Sequence, residues 1–393
     1  MNPQSAYENR TEKLYESNGL LSEFSATVID CIEADGGFDI ELDRTAFFPE
    51  GGGQGSDTGR LGDVEVKHVF IKDGKIFHRT SRAISVGEKV PGNVSFDLRR
   101  RRMQNHGGEH IISGLIYSLY GIENAGFHMS ENEITVDTGA PLTEEMLCHV
   151  EALANQAVWE NRPIRCYYPD GEELASLSYR SKTDIEGELR IVEVEGYDRC
   201  ACCAPHFPST AYIGLIHIKK FIKYKKGLRL TIACGEDAME NYRTISKEAS
   251  AIAKLYSVQP EEIHSAVLRR EEAFSDKLHE LHTLKERLLE EKLKTLSPSP
   301  KSICVFEDGC DTGLLKKLAN DGAHLTGRFF AAFSDNGNGG FNYVICAQSG
   351  DLAPLAATVR EKLGGRGGGK GTMITGFVEA DRSSIVDFFN NEA

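Results

Sequence analysis

The sequence between residues 99 and 120 reads RRRRMQNHGGEHIISGLIYSLY, and the fold of the chain depends on this stretch. Its apolar and histidine positions recur every three or four residues, which predicts a helix with one buried or functional face. His106 and His110 are four residues apart, so their imidazoles project from one face and can share a metal ion. Alone, this pair is weak support for a metal site, because such spacings also arise by chance.

A second pair of metal-binding residue types lies further along the chain. Cys202 and His206 stand at the two ends of the segment Cys-Cys-Ala-Pro-His. A thiolate and an imidazole from one short loop, added to the histidine pair, form the nitrogen and sulfur set that zinc favours. Cys200 and Cys203 are rival thiolates, and the Cys-x-x-x-His spacing favours Cys202. The two pairs together predict a zinc site with four protein ligands: His106, His110, Cys202 and His206.

Glu109 distinguishes this pattern from that of the zinc peptidases. Those enzymes carry His-Glu-x-x-His, whereas here the glutamate directly precedes the second histidine. Adjacent helical side chains are about 100° apart, so we expect Glu109 to point away from the metal, into solvent or among the surroundings of the ligands. Four protein ligands also fill a tetrahedral zinc, whereas a catalytic zinc usually keeps one position open. Either one ligand is replaceable, or the zinc organises the site without activating water.

The composition describes a globular, multidomain protein. The chain has 393 residues, of which 40% are hydrophobic and 26% are charged, and no run approaches the roughly 18 apolar residues of a membrane helix. The first residues lack the apolar centre of a signal peptide, so we expect a cytoplasmic protein with reduced thiols. Of the ten cysteines, only those at positions 200, 202 and 203 cluster, which in a reducing compartment indicates a metal-binding or redox site.

The charge distribution limits the ways in which the chain can bind nucleic acid. A net charge of -14 argues against a protein that coats nucleic acid indiscriminately, because phosphate binding needs a positive field. Two local basic runs are exceptions, one from Arg99 to Arg102 and the other from Lys219 to Arg229. Taken alone, each run is interpreted as a solvated face.

The pattern along the chain predicts four parts. Residues 1–96 have short alternating segments broken by glycine turns, which indicate a small N-terminal β domain. Residues 97–238 combine the histidine helix, a helix at 143–161 and strands at 191–194 and 213–218 into a zinc-containing α+β domain. Residues 239–298 have coiled-coil-like spacing and predict a helical arm that ends at Ser297-Pro298-Ser299-Pro300. Residues 299–393 alternate strand and helix patterns, as in a compact α/β domain.

Two glycine-rich segments are candidate ligand contacts. Residues 45–59 read TAFFPEGGGQGSDTG, and their glycines permit tight turns and close approach of backbone amides to a ligand. Their spacing matches neither the P-loop nor the dinucleotide fingerprint, so a hairpin loop is the competing interpretation. Residues 364–370 read GGRGGGK and predict a loop in which Arg366 and Lys370 approach phosphate, with a flexible surface turn as the alternative.

These motifs occur in the order seen in alanyl-tRNA editing domains, and the chain resembles the long, free-standing AlaX type. The resemblance extends over nearly the whole sequence and includes GFHM at residues 126–129 and GELRIVE at residues 187–193. Residues 364–370 resemble the DHH-associated C-terminal domain of alanyl-tRNA synthetases. Because the sequence begins at the β domain, we expect a protein that edits tRNA without charging it.

The resemblance implies an ATP-independent deacylase of alanine tRNA mischarged with serine, with glycine as a further substrate. A pocket for alanine cannot strongly reject either amino acid, so a second hydrolytic site is the physical remedy. By family analogy the four ligands hold zinc near the tRNA 3′ end, and Thr45 and Gln54 line the pocket that recognises serine. Satisfying local turns is the alternative role of both residues. The analogy also implies tRNA contact by Arg366 and Lys370, and an arm that sets their distance from the zinc or forms a homodimer.

Two departures from the family pattern keep other interpretations open. Gly107-Gly108 replaces the Thr-Ala or Ser-Gly often found between the histidines, and Cys-Ala-Pro replaces Gly-Gly-Thr before His206, where Pro205 removes a backbone donor. No side-chain general base is assigned, and a hydroxyl of the terminal ribose is expected to assist the attacking water. The alternatives are a non-catalytic tRNA-binding protein with structural zinc and a zinc hydrolase of another small ester or amide.

Overall fold

The structure, a computed structural model, describes residues 11–130, 133–181 and 189–391. The chain forms two compact units, Met1–Ala251 and Ile252–Ala393. Both units combine helices with strands, which confirms a multidomain protein of mixed α and β structure. Within the described ranges, no helix is both long and apolar enough to cross a membrane. The finer division into four parts stays a prediction.

The first unit opens with a barrel. Its segment contains eight strands and one short helix: β1 (Glu12–Lys13), α1 (Leu14–Ser17), β2 (Glu23–Ala34), β3 (Gly37–Leu42), β4 (Arg44–Thr45), β5 (Gly59–Leu61), β6 (Val64–Lys72), β7 (Lys75–Thr80) and β8 (Lys89–Val94). Six of these strands close in the order β2-β3-β7-β6-β5-β8, and β1 pairs with β4 in parallel. Alternation produces the barrel core, since Val64 and Val66 are buried whereas Glu65 and Lys67 are exposed. The predicted N-terminal β structure is therefore confirmed.

The rest of the first unit is a helix-and-sheet layer. Its elements are α2 (Phe96–Tyr120), β9 (Asn124–Met129), β10 (Ile134–Thr138), α3 (Glu144–Trp159), β11 (Ile164–Tyr167), α4 (Gly171–Ser176), β12 (Ile191–Val194), β13 (Asp198–Ala201), β14 (Ile216–Tyr224) and β15 (Gly227–Cys234). The strands form one sheet in the order β14-β15-β10-β9 and another in the order β11-β12-β13. Ile112 of α2, Val150 of α3 and Ile232 of β15 belong to the buried core between them.

Helix α2 confirms the prediction made from the histidine spacing. It ends at Tyr120 and is capped by Gly121, whose φ of 66° is left-handed and whose N–H donates to the Tyr117 carbonyl at 2.8 Å. The strand predicted at 191–194 is confirmed, but the strand predicted at 213–218 is wrong at its start. Residues Thr210–Ile213 form a 3-10 turn, Gly214 has a φ of 74°, and β14 begins only at Ile216. The left-handed glycine reverses the chain before the strand can start.

The segment predicted as a helical arm contains two helices, α5 (Glu236–Tyr256) and α6 (Ile263–Thr295). Ser257, with a φ of 56°, and a 3-10 turn at Pro260–Glu262 separate them. The helix α6 ends just before the predicted Ser-Pro-Ser-Pro stop, because its last regular residue is Thr295. The boundary between the two compact units falls within α5.

The second unit also contains a five-stranded sheet. Its elements after α6 are β16 (Ile303–Phe306), α7 (Thr312–Gly322), β17 (Phe330–Asp335), β18 (Phe341–Cys346), α8 (Ala353–Leu363), β19 (Arg366–Lys370), β20 (Met373–Val378) and α9 (Arg382–Asn391). The strand order is β16-β17-β18-β20-β19, with β16 and β17 parallel and the other pairs antiparallel. The prediction of a glycine-rich loop at residues 364–370 is therefore wrong, because Arg366–Lys370 form the edge strand β19. A Cβ on Gly367 would collide with the Tyr343 hydroxyl, so glycine permits close strand packing there.

Candidate metal centre

The four side chains predicted as zinc ligands converge in the first unit. His106 and His110 project from α2, while Cys202 and His206 follow β13. One ligand atom of each residue lies within 4.8 Å of the others. The Cys202 Sγ is 3.5 Å from His106 Nε2 and 3.4 Å from His206 Nε2. The histidine pair of the helix and the Cys202–His206 pair of the loop are far apart in the sequence, and the fold brings them together.

The orientation of His110 shows that the cluster fits a metal ion. Its Nδ1 lies 2.8 Å from Asp198 Oδ2, which makes Nδ1 the protonated nitrogen and turns Nε2 toward the cluster. Nε2 is buried and has no hydrogen-bond partner among the described residues. A buried acceptor without a partner is costly, and a metal ion among nitrogen and sulfur donors removes that cost. The residues therefore fit a cation such as zinc.

Asp198 contacts the candidate site and was not predicted from the sequence. Its two carboxylate oxygens accept from Arg180 Nε at 2.7 Å and from Arg180 Nη2 at 2.8 Å, in addition to the contact with His110. These contacts, with His110 contributing most, outweigh burial and hold the pKa of the Asp198 carboxyl below its usual range. A metal-binding histidine commonly donates a hydrogen bond from its other ring nitrogen to a carboxylate. This rule could have indicated that an acidic residue contacts His110, but not which one.

Gln54 contacts the other helical histidine. Its Oε1 lies 2.9 Å from His106 Nδ1, and its side chain is fully buried. The Gln54 Nε2 has no hydrogen-bond partner among the residues that the structure describes. This contact fixes the orientation of His106, so that Nε2 faces Cys202.

Thr45 lies in the barrel core. Its hydroxyl is 2.8 Å from His78 Nε2 and accepts from the Phe47 N–H at 3.0 Å. His78 Nδ1 in turn lies 3.0 Å from the Ile40 carbonyl, and burial lowers the pKa of His78 to about 4. A neutral His78 donates to Ile40 and accepts from Thr45, so these groups satisfy one another. A substrate-recognition role for Thr45 and Gln54 stays a prediction.

Burial favours the neutral forms of the cluster. Desolvation raises the pKa of the Cys202 thiol far above its usual value. Desolvation, followed by the nearby His110 and His106, lowers the pKa of His206 well below its usual value. A neutral imidazole is the form that binds a metal, and a cation would reverse the preference of the thiol by stabilising the thiolate.

The structure separates the three clustered cysteines. Cys202 faces the histidines, whereas Cys203 is exposed. Cys200 is buried and belongs to a second group with His110 and Asp198, whose potential ligand atoms also lie within 4.8 Å of one another. The geometry therefore favours Cys202 as the thiolate of the four-residue cluster.

Glu109 is buried, so of its two expected positions, in solvent or among the surroundings of the ligands, the structure shows the second. Only 1% of the residue is exposed, and its Oε1 accepts from Ser113 Oγ at 2.8 Å and from Asn124 Nδ2 at 2.5 Å. Glu109 is about 100° from His110 around the helix axis. Residue 109 is also three positions after His106, and residues at that spacing share a helix face. Glu109 is therefore among the surroundings of the ligands.

A cavity of about 690 Å³ lies against the cluster. Its lining includes His106, Glu109, His110, Phe127, Arg190 and Cys202. Arg190 donates to the carbonyls of Cys202 and Ala204 at 2.9 Å each, which holds the cysteine loop in place. Arg190 belongs to the GELRIVE motif, of which residues 187 and 188 lie outside the described residues. The volume is within the roughly 300–1,000 Å³ of small-molecule sites.

The glycines between the helical histidines pack closely against neighbouring side chains. A Cβ on Gly108 would collide with the Cys234 Sγ, and a Cβ on Gly107 would lie 2.9 Å from Ile213 Cδ1. Ile213 and Cys234 thus occupy the space that larger residues at 107 and 108 would need. A larger residue at either position would require Ile213 or Cys234 to shift.

The two basic runs have different environments. Arg99 is fully buried and bonds Asp57, so interpreting the whole arginine run as a solvated face is wrong. The lysines at 219, 220, 223, 225 and 226 are exposed on the edge strand β14 and the turn after it. Arg366 and Lys370 are exposed on the edge strand β19 of the second unit.

The chain is similar to alanyl-tRNA editing proteins and to domains of tRNA synthetases. The family model described as "Threonyl and Alanyl tRNA synthetase second additional domain" matches residues 189–230, which include Cys202 and His206. Alanyl-tRNA editing protein AlaX-L of Pyrococcus horikoshii is 26% identical over 402 residues, covering 96% of this chain and 96% of that protein.

Alanine–tRNA ligases are also similar to the chain. The ligase of Halobacterium salinarum is 33% identical over 298 residues, covering 71% of this chain and 32% of the ligase. The ligase of Archaeoglobus fulgidus is 30% identical, covering 96% of this chain and 43% of the ligase. The chain thus spans about a third to less than half of these ligases and nearly all of AlaX-L.

Proposed function

We propose that this chain is a deacylase of the alanyl-tRNA editing family that hydrolyses the ester of alanine tRNA mischarged with serine. Glycine is the proposed further substrate. The observation that carries the proposal is the convergence of three imidazoles and one thiol beside a cavity of about 690 Å³. The pocket is large enough for an aminoacyl group on a terminal nucleoside.

We propose zinc as the metal, with His106, His110, Cys202 and His206 as its ligands. The unpartnered His110 Nε2 and the mixed nitrogen and sulfur donors support this assignment. When bound, zinc would polarise or position the ester region of the substrate.

The surrounding residues position the ligands and shield the reaction. Asp198 orients His110, Gln54 orients His106, and Arg190 holds the loop that carries Cys202. Gly52 and Gly53 line the cavity with φ angles of 61° and 83°, and we assign backbone oxyanion donors to this turn. Water attacks the aminoacyl carbonyl with assistance from a hydroxyl of the terminal ribose. No side-chain general base is assigned.

We propose that RNA phosphate meets the exposed basic groups on the two edge strands. In the first unit these are the lysines of β14 and its turn, and in the second unit they are Arg366 and Lys370. Strand β14 is three strands from β9, which helps to line the cavity, so the spacing across the sheet is about 14 Å. A single-stranded 3′ end can bridge such a distance.

The proposed organisation retains four parts: a β domain, a zinc-containing editing domain, a helical arm and a C-terminal domain of the DHH-associated type. Leu278, Leu281 and Leu288 are half exposed or more on α6, which supports its use as an arm or as a homodimer contact. Sedimentation of the intact chain over a range of concentrations tests the dimer. A monomer at every concentration contradicts that part of the proposal.

The deacylation assay tests the function directly. Purified protein is incubated with seryl-tRNA and alanyl-tRNA of the alanine acceptor, and the remaining esters are measured. We expect the seryl ester to disappear much faster than in buffer and the alanyl ester to persist. A seryl ester that persists as in buffer contradicts the proposal and favours the second candidate, a tRNA-binding protein whose four-ligand zinc is structural. Deacylation confined to esters without tRNA favours another hydrolase.

Metal analysis tests the ligands independently of activity. We expect His106→Ala and Cys202→Ala to lose zinc, and Cys203→Ala to keep it, because Cys203 is exposed outside the cluster. Full zinc content in both His106→Ala and Cys202→Ala contradicts the ligand assignment. Zinc loss in Cys203→Ala with retention in Cys202→Ala would identify Cys203 as the thiolate.

A further inference from the structure

A second cavity of the first unit takes no part in the proposed hydrolysis. It has a volume of about 370 Å³ and lies where strand β6 of the barrel, helix α2 and the end of strand β9 meet, and we call it the barrel pocket. Arg101 and Arg102 line its helical side, where Arg101 donates to Asp237 and Arg102 to the Ser56 carbonyl. The barrel side supplies the other charged and aromatic groups, which are Glu50, Lys67 and His68.

A β-bulge brings two adjacent side chains of β6 into the barrel pocket. Neighbouring residues of a regular strand point to opposite faces, yet Lys67 and His68 both line the pocket. The register between β6 and β7 shifts between Val66 and His68, which places the bulge at Lys67. Bulges re-aim side chains in this way and are frequent next to active sites. The irregular backbone therefore directs a cation and an aromatic ring into one pocket.

His68 presents an aromatic surface that is held in place. Its Nδ1 lies 3.0 Å from Ser56 Oγ, and its Nε2 lies 3.6 Å from Glu50 Oε2. Its ring stacks on Phe70, with the ring centroids 5.7 Å apart and an angle of 15° between the planes. The His68 side chain nevertheless keeps 44% of its surface exposed. A ring that is fixed at both nitrogens and on one face leaves its other face for a planar ligand such as a nucleobase.

The charged groups beside this ring complement a nucleotide. Lys67 is exposed and forms no ion pair with any residue that the structure describes, so its ammonium group can contact a phosphate. Glu50 keeps 63% of its side chain exposed beside His68. A carboxylate accepts a hydrogen bond from the amino group of cytosine, whereas uracil presents an acceptor at the same position. Ring, cation and carboxylate therefore suit cytidine better than uridine.

A third depression, of about 350 Å³, joins the barrel pocket to the cavity beside the proposed zinc ligands. The lining residues that it shares with one or the other are Gly53, His128, Glu50, Gly55, Met129 and Ser130. Phe127 lines the cavity beside the ligands and Met129 lines the barrel pocket, and two positions of β9 span about 7 Å. A single strand with bases stacked about 3.4 Å apart covers that distance in about two nucleotides.

We propose that the barrel pocket binds a cytidine of the single-stranded CCA end of the tRNA, about one or two nucleotides before the aminoacylated adenosine. This inference rests on the proposed function, since it extends the substrate site from the ester to the strand that carries it. His68 stacks on the base, Glu50 accepts from the amino group of the base, and Lys67 contacts a neighbouring phosphate. The pocket thereby positions the ester beside the metal ligands.

Binding of short RNAs to the intact wild-type protein tests the proposal without hydrolysis. The probes are fluorescein-labelled hairpins of the alanine acceptor stem that end in CCA or in UUA, and Kd is measured by fluorescence anisotropy. We expect the CCA hairpin to bind about 3- to 10-fold more tightly, the lower range for a hydrogen bond to a charged group, because water competes for the exposed Glu50. Equal affinities for the two hairpins overturn the proposal.

The variant Glu50→Gln assigns the base preference to its carboxylate. An amide donates as well as accepts, so the two hairpins should bind Glu50→Gln with affinities within about twofold of each other. A preference for CCA that is as large as in the wild type overturns the role of Glu50.

The variants His68→Ala and His68→Phe test the stacking surface. We expect His68→Ala to weaken binding of the CCA hairpin by about 5- to 100-fold, the range for loss of one base stacked on an aromatic side chain. His68→Phe should restore most of the affinity, because it keeps the ring and loses only the contacts of the two nitrogens. Affinity as low in His68→Phe as in His68→Ala overturns stacking and indicates that those contacts matter instead. Zinc content and the thermal midpoint are measured on each variant to establish that the fold and the metal centre are intact.

The phosphate contact is tested with a matched pair of lysines on one strand. Lys67→Gln should lower the slope of log affinity against log salt by about one, and Lys72→Gln should leave it unchanged, because Lys72 is exposed at the other end of β6. Equal slopes in both variants overturn the role of Lys67.

Hydrolysis of the same hairpins carrying serine distinguishes failure of this inference from failure of the proposed function. If the seryl ester persists as in buffer but the CCA preference is present in wild type and lost in Glu50→Gln, the deacylase function fails and the cytidine pocket stands. If the seryl ester is hydrolysed and wild type binds the CCA and UUA hairpins equally, the deacylase function stands and the cytidine pocket fails.

Discussion

The run Arg99–Arg102 and the lysine-rich run after Ile218 look alike in the sequence but differ in the structure. Arg99 is fully buried, contacts both carboxylate oxygens of Asp57 and donates to the carbonyls of Gly19 at 3.1 Å and Ala46 at 2.6 Å. The lysines of the second run are exposed, and within it Lys220 contacts Glu133 at 3.1 Å. One run joins the barrel to the helix layer, and the other presents charge to solvent.

The difference follows from the backbone on which each run lies. Successive residues of a helix point about 100° apart, so the four arginines of α2 reach different neighbours. Arg100 contacts Glu236, Arg101 contacts Asp237 and Arg102 donates to the Ser56 carbonyl. An edge strand has an open side, so the lysines of β14 stay in solvent. A basic run in a sequence therefore indicates a binding surface only when its backbone leaves it uncovered.

The largest expected effect is on the free energy of unfolding, and it comes from Arg99, the buried arginine of the first basic run. Arg99→Met leaves the Asp57 carboxylate buried without its partner and should lower the free energy of unfolding by about 3–5 kcal/mol. Urea denaturation followed by circular dichroism measures it. The double variant Arg99→Met/Asp57→Leu should recover part of the loss, since no buried charge remains. A change below about 1 kcal/mol in the single variant would show that this ion pair does not differ from a surface pair.

The next largest effect is on tRNA affinity, and it comes from the exposed lysines of β14 and the turn after it. Replacing Lys219, Lys223, Lys225 and Lys226 with glutamine should lower the slope of log affinity against log salt by about one for each phosphate contact, and weaken tRNA binding by one to two orders of magnitude at low salt. The free energy of unfolding should change by less than about 0.5 kcal/mol, because exposed substitutions rarely affect stability. Fluorescence anisotropy at several salt concentrations measures the slope. An unchanged slope excludes β14 as an RNA contact.

A smaller effect of the same kind is expected in the second unit. The double variant Arg366→Gln/Lys370→Gln removes two charges from β19 and should lower the salt slope by about two at most. Its thermal midpoint serves as the control, since both side chains are exposed. If affinity and slope equal those of the wild type, these two residues do not contact tRNA.

The smallest effect contrasts two arginines of one helix. Arg100 is 39% exposed in its side chain and contacts Glu236 at 3.1 Å, with the glutamate side chain 63% exposed. Arg100→Gln should lower the free energy of unfolding by less than about 1 kcal/mol, because water and salt screen such a pair. The same urea experiment, run beside Arg99→Met, compares them. A loss as large as that of Arg99→Met would mean that burial does not separate the two positions.

The metal centre shows how far local patterns reach. The spacing of His106 and His110 on a helix, and of Cys202 and His206 on a loop, predicted which side chains meet, and the structure brings them within 4.8 Å. The sequence did not indicate that Asp198 and Gln54 orient the histidines. Gln54 is 52 positions from His106, and Asp198 is 88 positions from His110. No local pattern relates residues at such separations.

The sequence by itself determined the elements whose signals are periodic or local: the histidine helix, strands of the N-terminal β structure, the strand Ile191–Val194 and the pairs of ligand residues. The tertiary structure alone decided that Glu109 is buried, that Arg99 is paired and that the C-terminal glycines form an edge strand. The physical reason is that periodicity reports which faces of an element are alike. Partners and burial are fixed only when distant elements pack and exclude water.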